Sequence, residues 1–161
     1  MRLRVRYSKK GKVRFTSHRD VARIWERALR RVGLGMAYSQ GFSPRPKMSF
    51  GLALSTGHES EAEFLELELS DEEGEAADWD RERTVDLAER LTEALPVGLD
   101  VVAVAPVEKG DSLQQSVTSC TWSIEVDGVD MEQMNAWVAD VLARDEIVVE
   151  RERKGKPVVE D

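Results

Sequence analysis

The chain reads as an α+β protein: a ferredoxin-like split βαβ domain followed by a partial second unit of similar pattern. Three observations predict this. Short segments alternate apolar and charged residues, two longer segments space their apolar residues at the helical period, and the two kinds follow one another as β-α-β-β-α-β before the pattern restarts.

The first strand is "LRVRY", with Leu3, Val5 and Tyr7 on one face and Arg2, Arg4 and Arg6 on the other. That is the period of two expected of a half-buried strand. After a turn at Lys10-Gly11, "KVRF" is read as its extension. Ser17 with Asp20 three residues later forms the acidic variant of a capping box, so a helix starts there, and Gly33 and Gly35 end it. The loop from Tyr38 to Lys47 follows. Gly41 permits positive φ, while Pro44 and Pro46 fix their own φ and bias Ser43 and Arg45 toward extended backbone. The loop is therefore expected to be stiff, presenting Arg45 and Lys47 rather than letting them wander.

"MSFGLAL" sets Met48, Phe50, Leu52 and Leu54 against Ser49, Gly51 and Ala53, and "AEFLELEL" sets Leu65, Leu67 and Leu69 against Phe64, Glu66 and Glu68. Both read as strands, joined by a turn around "STGHES". An acidic loop, 70–83, leads to a second helix from about Arg81 to Leu95, and "LDVVAVAPV" is the fourth strand. These elements make residues 1–108 the first domain. In 109–161 the pattern begins again: a strand over 116–127, a helix over 130–143 carrying Met131, Met134, Trp137 and Val141, and a strand over 146–152. "KGKPVVED" turns into a further strand. A complete second unit would need another helix and strand, so this part is expected to be truncated.

At 161 residues and 41% hydrophobic content the chain has enough apolar surface for a core. The single cysteine, Cys120, excludes an intramolecular disulfide and any three-cysteine cluster within this chain. No apolar run approaches the length needed to span a bilayer, and the expected compartment is the cytoplasm. The net charge of −8 conceals a dipole. Residues 1–50 carry 14 Lys/Arg against Asp20 and Glu26, a balance of +12, and 51–161 carry 9 against 29 acids, or −20. Asymmetry of this kind points to a basic binding surface, or to two halves that neutralise each other.

On a helical wheel Val21, Ile24, Trp25, Ala28, Leu29 and Val32 share one face, and Arg19, Arg23, Arg27, Arg30 and Arg31 the other. Glu26 is the only acid inside the helix, so the stripe lacks the i,i+4 partners of a self-neutralised surface. Guanidinium groups also suit forked contacts to phosphate. The strand arginines call for a different account. In a ferredoxin-like sheet the first strand lies beside the third, so Arg2, Arg4 and Arg6 are expected to form cross-strand ion pairs with Glu66 and Glu68.

The stretch "FTSHRDVARIWERALRRVGLGMAYSQGFSPRPKMSFGLALSTGHESEAEFLELEL", 15–69, resembles the radical SAM-linked protein family. The family's serine-histidine-x-aspartate helix start matches Ser17, His18 and Asp20. Its arginine-rich helix matches Arg27, Arg30 and Arg31, its Pro-x-Pro loop matches Gly41, Phe42, Pro44 and Pro46, and its Gly-x-x-Ser-x-x-Glu turn matches Gly57, Ser60 and Glu63. Arg19, Arg45 and Ser55 stand where many members carry Leu, His and Pro. The resemblance implies a chain fused to, or encoded beside, cobalamin-binding radical SAM proteins. Iron–sulfur cluster, SAM and cobalamin would then belong to that partner, and this chain would hold no cofactor of its own.

Three functions are compatible with these residues. The first is a noncatalytic RNA-binding module, with ribosomal or transfer RNA as the target. Its phosphates would be gripped by the helix arginines with Arg45 and Lys47, and Tyr38, Gln40 and Phe42 would face the bases. The second is a metal-independent endoribonuclease-like enzyme in which His18, at the positive end of the helix, acts as general acid or base. The third is an adaptor whose arginine stripe docks on the radical SAM protein. Ser17, Asp20, Gly41, Pro44, Pro46, Gly57, Ser60 and Glu63 are assigned to turns, and Glu63 could also reach a helix arginine. Neither a compact set of metal ligands, nor a phosphate-loop or dinucleotide-binding fingerprint, nor a signal for DNA specificity is present.

Overall fold

The computed structural model describes residues 1–75, 79–108, 110, 112–153 and 156–160. Contacts divide the chain into two compact units, Met1–Cys120 and Thr121–Asp161. In the first, β1 (Arg2–Lys9) is followed by a short 3-10 helix (Gly11–Phe15), α1 (His18–Val32), β2 (Met48–Phe50), β3 (Ser60–Glu68), α2 (Asp71–Glu75), α3 (Arg81–Ala94) and β4 (Leu99–Val107). The four strands form one sheet in the order β2-β3-β1-β4, every neighbouring pair antiparallel. This is the strand order of a split βαβ domain, so the predicted class holds for this unit.

The core follows from the two periodicities. Leu3, Val5 and Tyr7 of β1, Leu65 and Leu67 of β3 and Leu99 and Val104 of β4 are buried against Val21, Trp25, Ala28 and Leu29 of α1 and Leu87 and Leu91 of α3. Ile24 and Val32 pack half-buried at its edge, so all six residues assigned to the apolar face of α1 lie against the core. Trp25 is wholly buried and meets the Tyr7 ring edge-on, with centroids 5.0 Å apart. Burying an aromatic side chain of this size contributes about 3 kcal/mol.

α1 starts as its sequence predicts: Ser17 Oγ accepts from the Asp20 N–H and donates to Asp20 Oδ2 at 2.7 Å. It ends at Gly33, whose φ of 70° is the left-handed cap for which glycine is suited.

Three expectations for this unit are corrected. "KVRF" does not extend β1. Gly11, at φ 65°, turns the chain into the 3-10 helix, and Lys9 Nζ holds its far end by donating to the Thr16 carbonyl at 3.2 Å. The chain leaves the end of β1, an interior strand, and turns compactly toward the start of α1. "MSFGLAL" forms only three residues of strand. After Phe50, Gly51 makes one more bond to the Phe64 carbonyl, and then the chain turns away to reach the Arg14 carbonyl through the Gly57 N–H at 2.7 Å. The acidic stretch after β3 is not all loop: Ser70 Oγ accepts from the Glu73 N–H as α2 begins.

The second unit contains α4 (Met131–Leu142) and a two-stranded sheet of β5 (Val149–Arg153) and β6 (Lys156–Glu160). Asp130 caps α4 by accepting from the Gln133 N–H at 2.8 Å. The strand expected over 116–127 does not form, and among the described residues this segment joins neither sheet. Alternating residues alone do not make a strand without a ladder.

Candidate functional site

The outer face of α1 carries the arginine stripe as predicted, and Arg19, Arg23, Arg27, Arg30 and Arg31 are all on it. Their surroundings differ. Arg23 Nη1 lies 3.4 Å from Asp20 Oδ1, a surface pair of small energetic consequence. Arg31 Nη1 donates to the Ala94 carbonyl at the end of α3, at 3.0 Å. Arg19, Arg27 and Arg30 form no ion pair or side-chain hydrogen bond among the described residues. The chain contains no acidic residue between Glu26 and Glu59, a local signal in the sequence that marks the same surface.

The loop after α1 is a small hairpin. Ser39 N–H donates to the Arg45 carbonyl at 2.9 Å, Lys47 N–H to the Ala37 carbonyl at 2.8 Å, and Arg45 N–H to Ser39 Oγ at 3.1 Å, with Tyr38 bridged to Pro46. Gly41 takes φ 134°, and the tip residues Gln40, Gly41 and Phe42 face solvent. Phe42 is fully exposed and Tyr38 about half so, at 48%. The two loop cations separate. Lys47 Nζ pairs with Glu68 at 2.8 Å, while Arg45 is exposed with no ion pair among the described residues. No described contact joins Arg45 or Lys47 to the arginines of α1.

His18 stands at the start of α1 with its ring edge-on to Phe50, centroids 4.9 Å apart. Glu63 faces Tyr7 across the β1–β3 ladder, and it forms no ion pair with an arginine of α1 among the described residues. Its charge acts inward instead, on Tyr7 and on Lys9, the burial of which sequence reasoning missed. Lys9 is 3% exposed, and burial lowers its pKa while Glu63 opposes that shift. Tyr7 is pushed well above its ordinary value, first by burial and then by Glu63, with the Trp25 indole opposing. The signal for Lys9 was present in the alternation of Leu3, Val5 and Tyr7, which continues to residue 9; a bulge between Tyr7 and Lys9 interrupts the register. The other turn residues have local duties. Ser60 Oγ accepts from the Ala62 N–H at 3.2 Å, and Gly57 takes φ 93°.

The strand arginines form the expected ladder: Arg4 lies 2.6 Å from Glu66, and Arg2 lies 3.6 Å from Glu66 and 3.7 Å from Glu68. Arg6 has no such pair among the described residues. At the same end of the sheet a groove of about 990 Å³ opens, lined among others by Arg2, Met36, Tyr38, Lys47, Leu69 and Asp71. No group of His, Cys, Asp and Glu among the described residues is arranged to hold a metal ion, and Cys120 is exposed. No described helix is long and apolar enough to cross a membrane.

Neither the curated proteins nor the solved structures contain a match to this chain. One family model does match, over residues 2–161, and its description is "uncharacterized protein conserved in bacteria". A match over almost the whole length places the chain in a family: it belongs to the bacterial family DUF2344.

Proposed function

We propose that this chain is a noncatalytic RNA-binding protein that presents its RNA to a radical SAM enzyme. The observation that carries the reading is the set Arg19, Arg27 and Arg30, on the outer face of α1 and without a carboxylate partner among the described residues. Arg27 and Arg30, one turn apart on the helix, repel each other, and a polyanion relieves that repulsion while releasing its own counterions. The exposed rings of Phe42 and Tyr38 beside Arg45 add surface for bases and favour RNA over a merely acidic protein face. The partnership with a radical SAM enzyme rests on the resemblance over residues 15–69, and ribosomal or transfer RNA is the proposed substrate class. His18 is exposed, touches the Phe50 ring and has no hydrogen-bonded acid–base partner among the described residues, which favours binding over catalysis.

The test is RNA affinity of purified protein at two salt concentrations. Reversal of Arg19, Arg27 and Arg30 to Glu should abolish tight binding and flatten the salt dependence, by roughly 0.7 in logarithmic slope for each phosphate that is no longer neutralised. Unchanged affinity in that variant would place the RNA surface elsewhere. Recovery of a radical SAM protein from lysate without RNA would make the stripe a protein interface.

A further inference from the structure

We propose that the groove at the foot of the hairpin loop holds one unpaired nucleotide of the bound RNA, with its base stacked on Tyr38. The inference rests on the RNA-binding reading above and narrows it to a single strand.

The groove's composition suits a nucleotide in three respects. Its accessible apolar lining includes Met1 and the exposed Pro106 over a floor closed by the buried Met36 and Leu69, while Tyr38 contributes an aromatic ring about half open to solvent. An apolar bed with one accessible aromatic ring is what the face of a base requires, and a paired base inside a duplex has no free face to offer. Arg2 and Lys47 supply two cations, and both already lie near the Glu68 carboxylate, at 3.7 and 2.8 Å. That carboxylate offsets their charge and would repel a phosphate, so the two side chains serve as donors to the oxygens of the base and ribose. Asp71 and Glu108 also line the groove and can only accept when ionised, so they suit a base edge that carries an exocyclic amino group. Adenine, cytosine and guanine have such an edge and uracil does not.

The platform is also held in place before any ligand arrives. Tyr38 is bridged to Pro46, and its neighbours Ala37 and Ser39 are hydrogen-bonded to Lys47 and Arg45 across the hairpin. A ring on a fixed backbone loses little freedom on stacking. The groove's volume of about 990 Å³ leaves room for the sugar and phosphate as well as the base.

The experiment compares a single-stranded oligoribonucleotide carrying a fluorescent adenine analogue with the blunt duplex of the same sequence. Each is titrated into the full chain, as wild type, Tyr38→Ala and Tyr38→Phe. The single strand should bind more tightly than the duplex, and the analogue should be quenched on binding. Tyr38→Ala should weaken the single strand by roughly 5- to 160-fold, the range for removal of one base–aromatic stack, and leave the duplex unchanged. Tyr38→Phe should retain both affinity and quenching, which separates stacking from loss of the fold. Equal affinity for single strand and duplex, with no effect of Tyr38→Ala, would overturn the groove proposal and leave the arginine surface standing. A preference for the single strand that survives Tyr38→Ala would also overturn it, by placing the base elsewhere. Failure of both RNAs to bind would overturn the broader reading as well.

Discussion

Arg31 and Arg90 cap one another's helices. Arg31 of α1 donates to the carbonyl of Ala94, the last residue of α3, at 3.0 Å, and Arg90 of α3 donates to the carbonyl of Val32, the last residue of α1. Each guanidinium therefore meets carbonyls that have no partner within their own helix, at the end where the dipole favours a cation. Replacing either arginine by Ala should cost about 1 kcal/mol, read as a fall in the midpoint of urea unfolding. Arg31→Ala should lower stability more than it lowers RNA affinity, and Arg27→Ala should do the reverse.

Arg4 of the sheet should separate from the helix arginines in the same pair of measurements. Glu66 is 5% exposed and accepts from Arg4 at 2.6 and 3.1 Å, so Arg4→Ala leaves a buried carboxylate with Arg2 alone beside it. A loss of about 2 kcal/mol is expected, with RNA affinity at constant salt little changed. A variant that binds RNA poorly but unfolds like wild type would show that Arg4 faces the ligand instead.

Gly98 should tolerate no side chain. Its φ is 97°, and a Cβ there would run into the Lys10 carbonyl, on the residue whose N–H donates to the Gly98 carbonyl at 2.8 Å. Gly98→Ala should destabilise by more than about 1 kcal/mol, the ordinary scale of backbone effects, since it combines strain with a clash. Gly41→Ala, at an open position with φ 134°, should be strained without the clash and cost less. Equal midpoints for the two variants would refute the difference.

Alkaline stability should report on Tyr7. Its pKa is raised above the unfolded value of 10.0, chiefly by burial, so the native state keeps a proton that the unfolded chain releases. The stability this contributes is complete below pH 10 and is lost as pH rises toward the native pKa. Lys9 acts oppositely. Its lowered native pKa means that the unfolded chain binds the extra proton, so stability rises with pH from that lowered value up to about 10.5. Unfolding free energy measured across this range should turn downward above pH 10 in wild type, and Tyr7→Phe should remove the downturn. If the downturn persists in Tyr7→Phe, another group controls it.

Much of the fold was legible because the signals that carry it are local. Side-chain alternation identified β1 and β3 as strands, the helical period separated the two faces of α1, and Ser17 with Asp20 marked where that helix begins. Strand order then followed from the element order, and with it the pairing of Arg2 and Arg4 with Glu66 and Glu68. The outward stripe of Arg19, Arg27 and Arg30 was readable for the same reason, since a wheel needs only one helix.

What the tertiary structure alone decided lies where a residue's partner is distant in the chain. "KVRF" became a 3-10 helix after the turn at Gly11, with Lys9 on the Thr16 carbonyl at its far end, and among the described residues the segment 116–127 joined neither sheet. Arg31 and Lys47 were drawn toward Ala94 and Glu68, leaving Arg45 apart from them, although the sequence grouped all three as cations. Lys9 was buried beside Glu63, and Tyr38 became the wall of a groove formed with residues from the first strand and beyond the third. Periodicity predicts which way a side chain faces; only packing determines what it meets there.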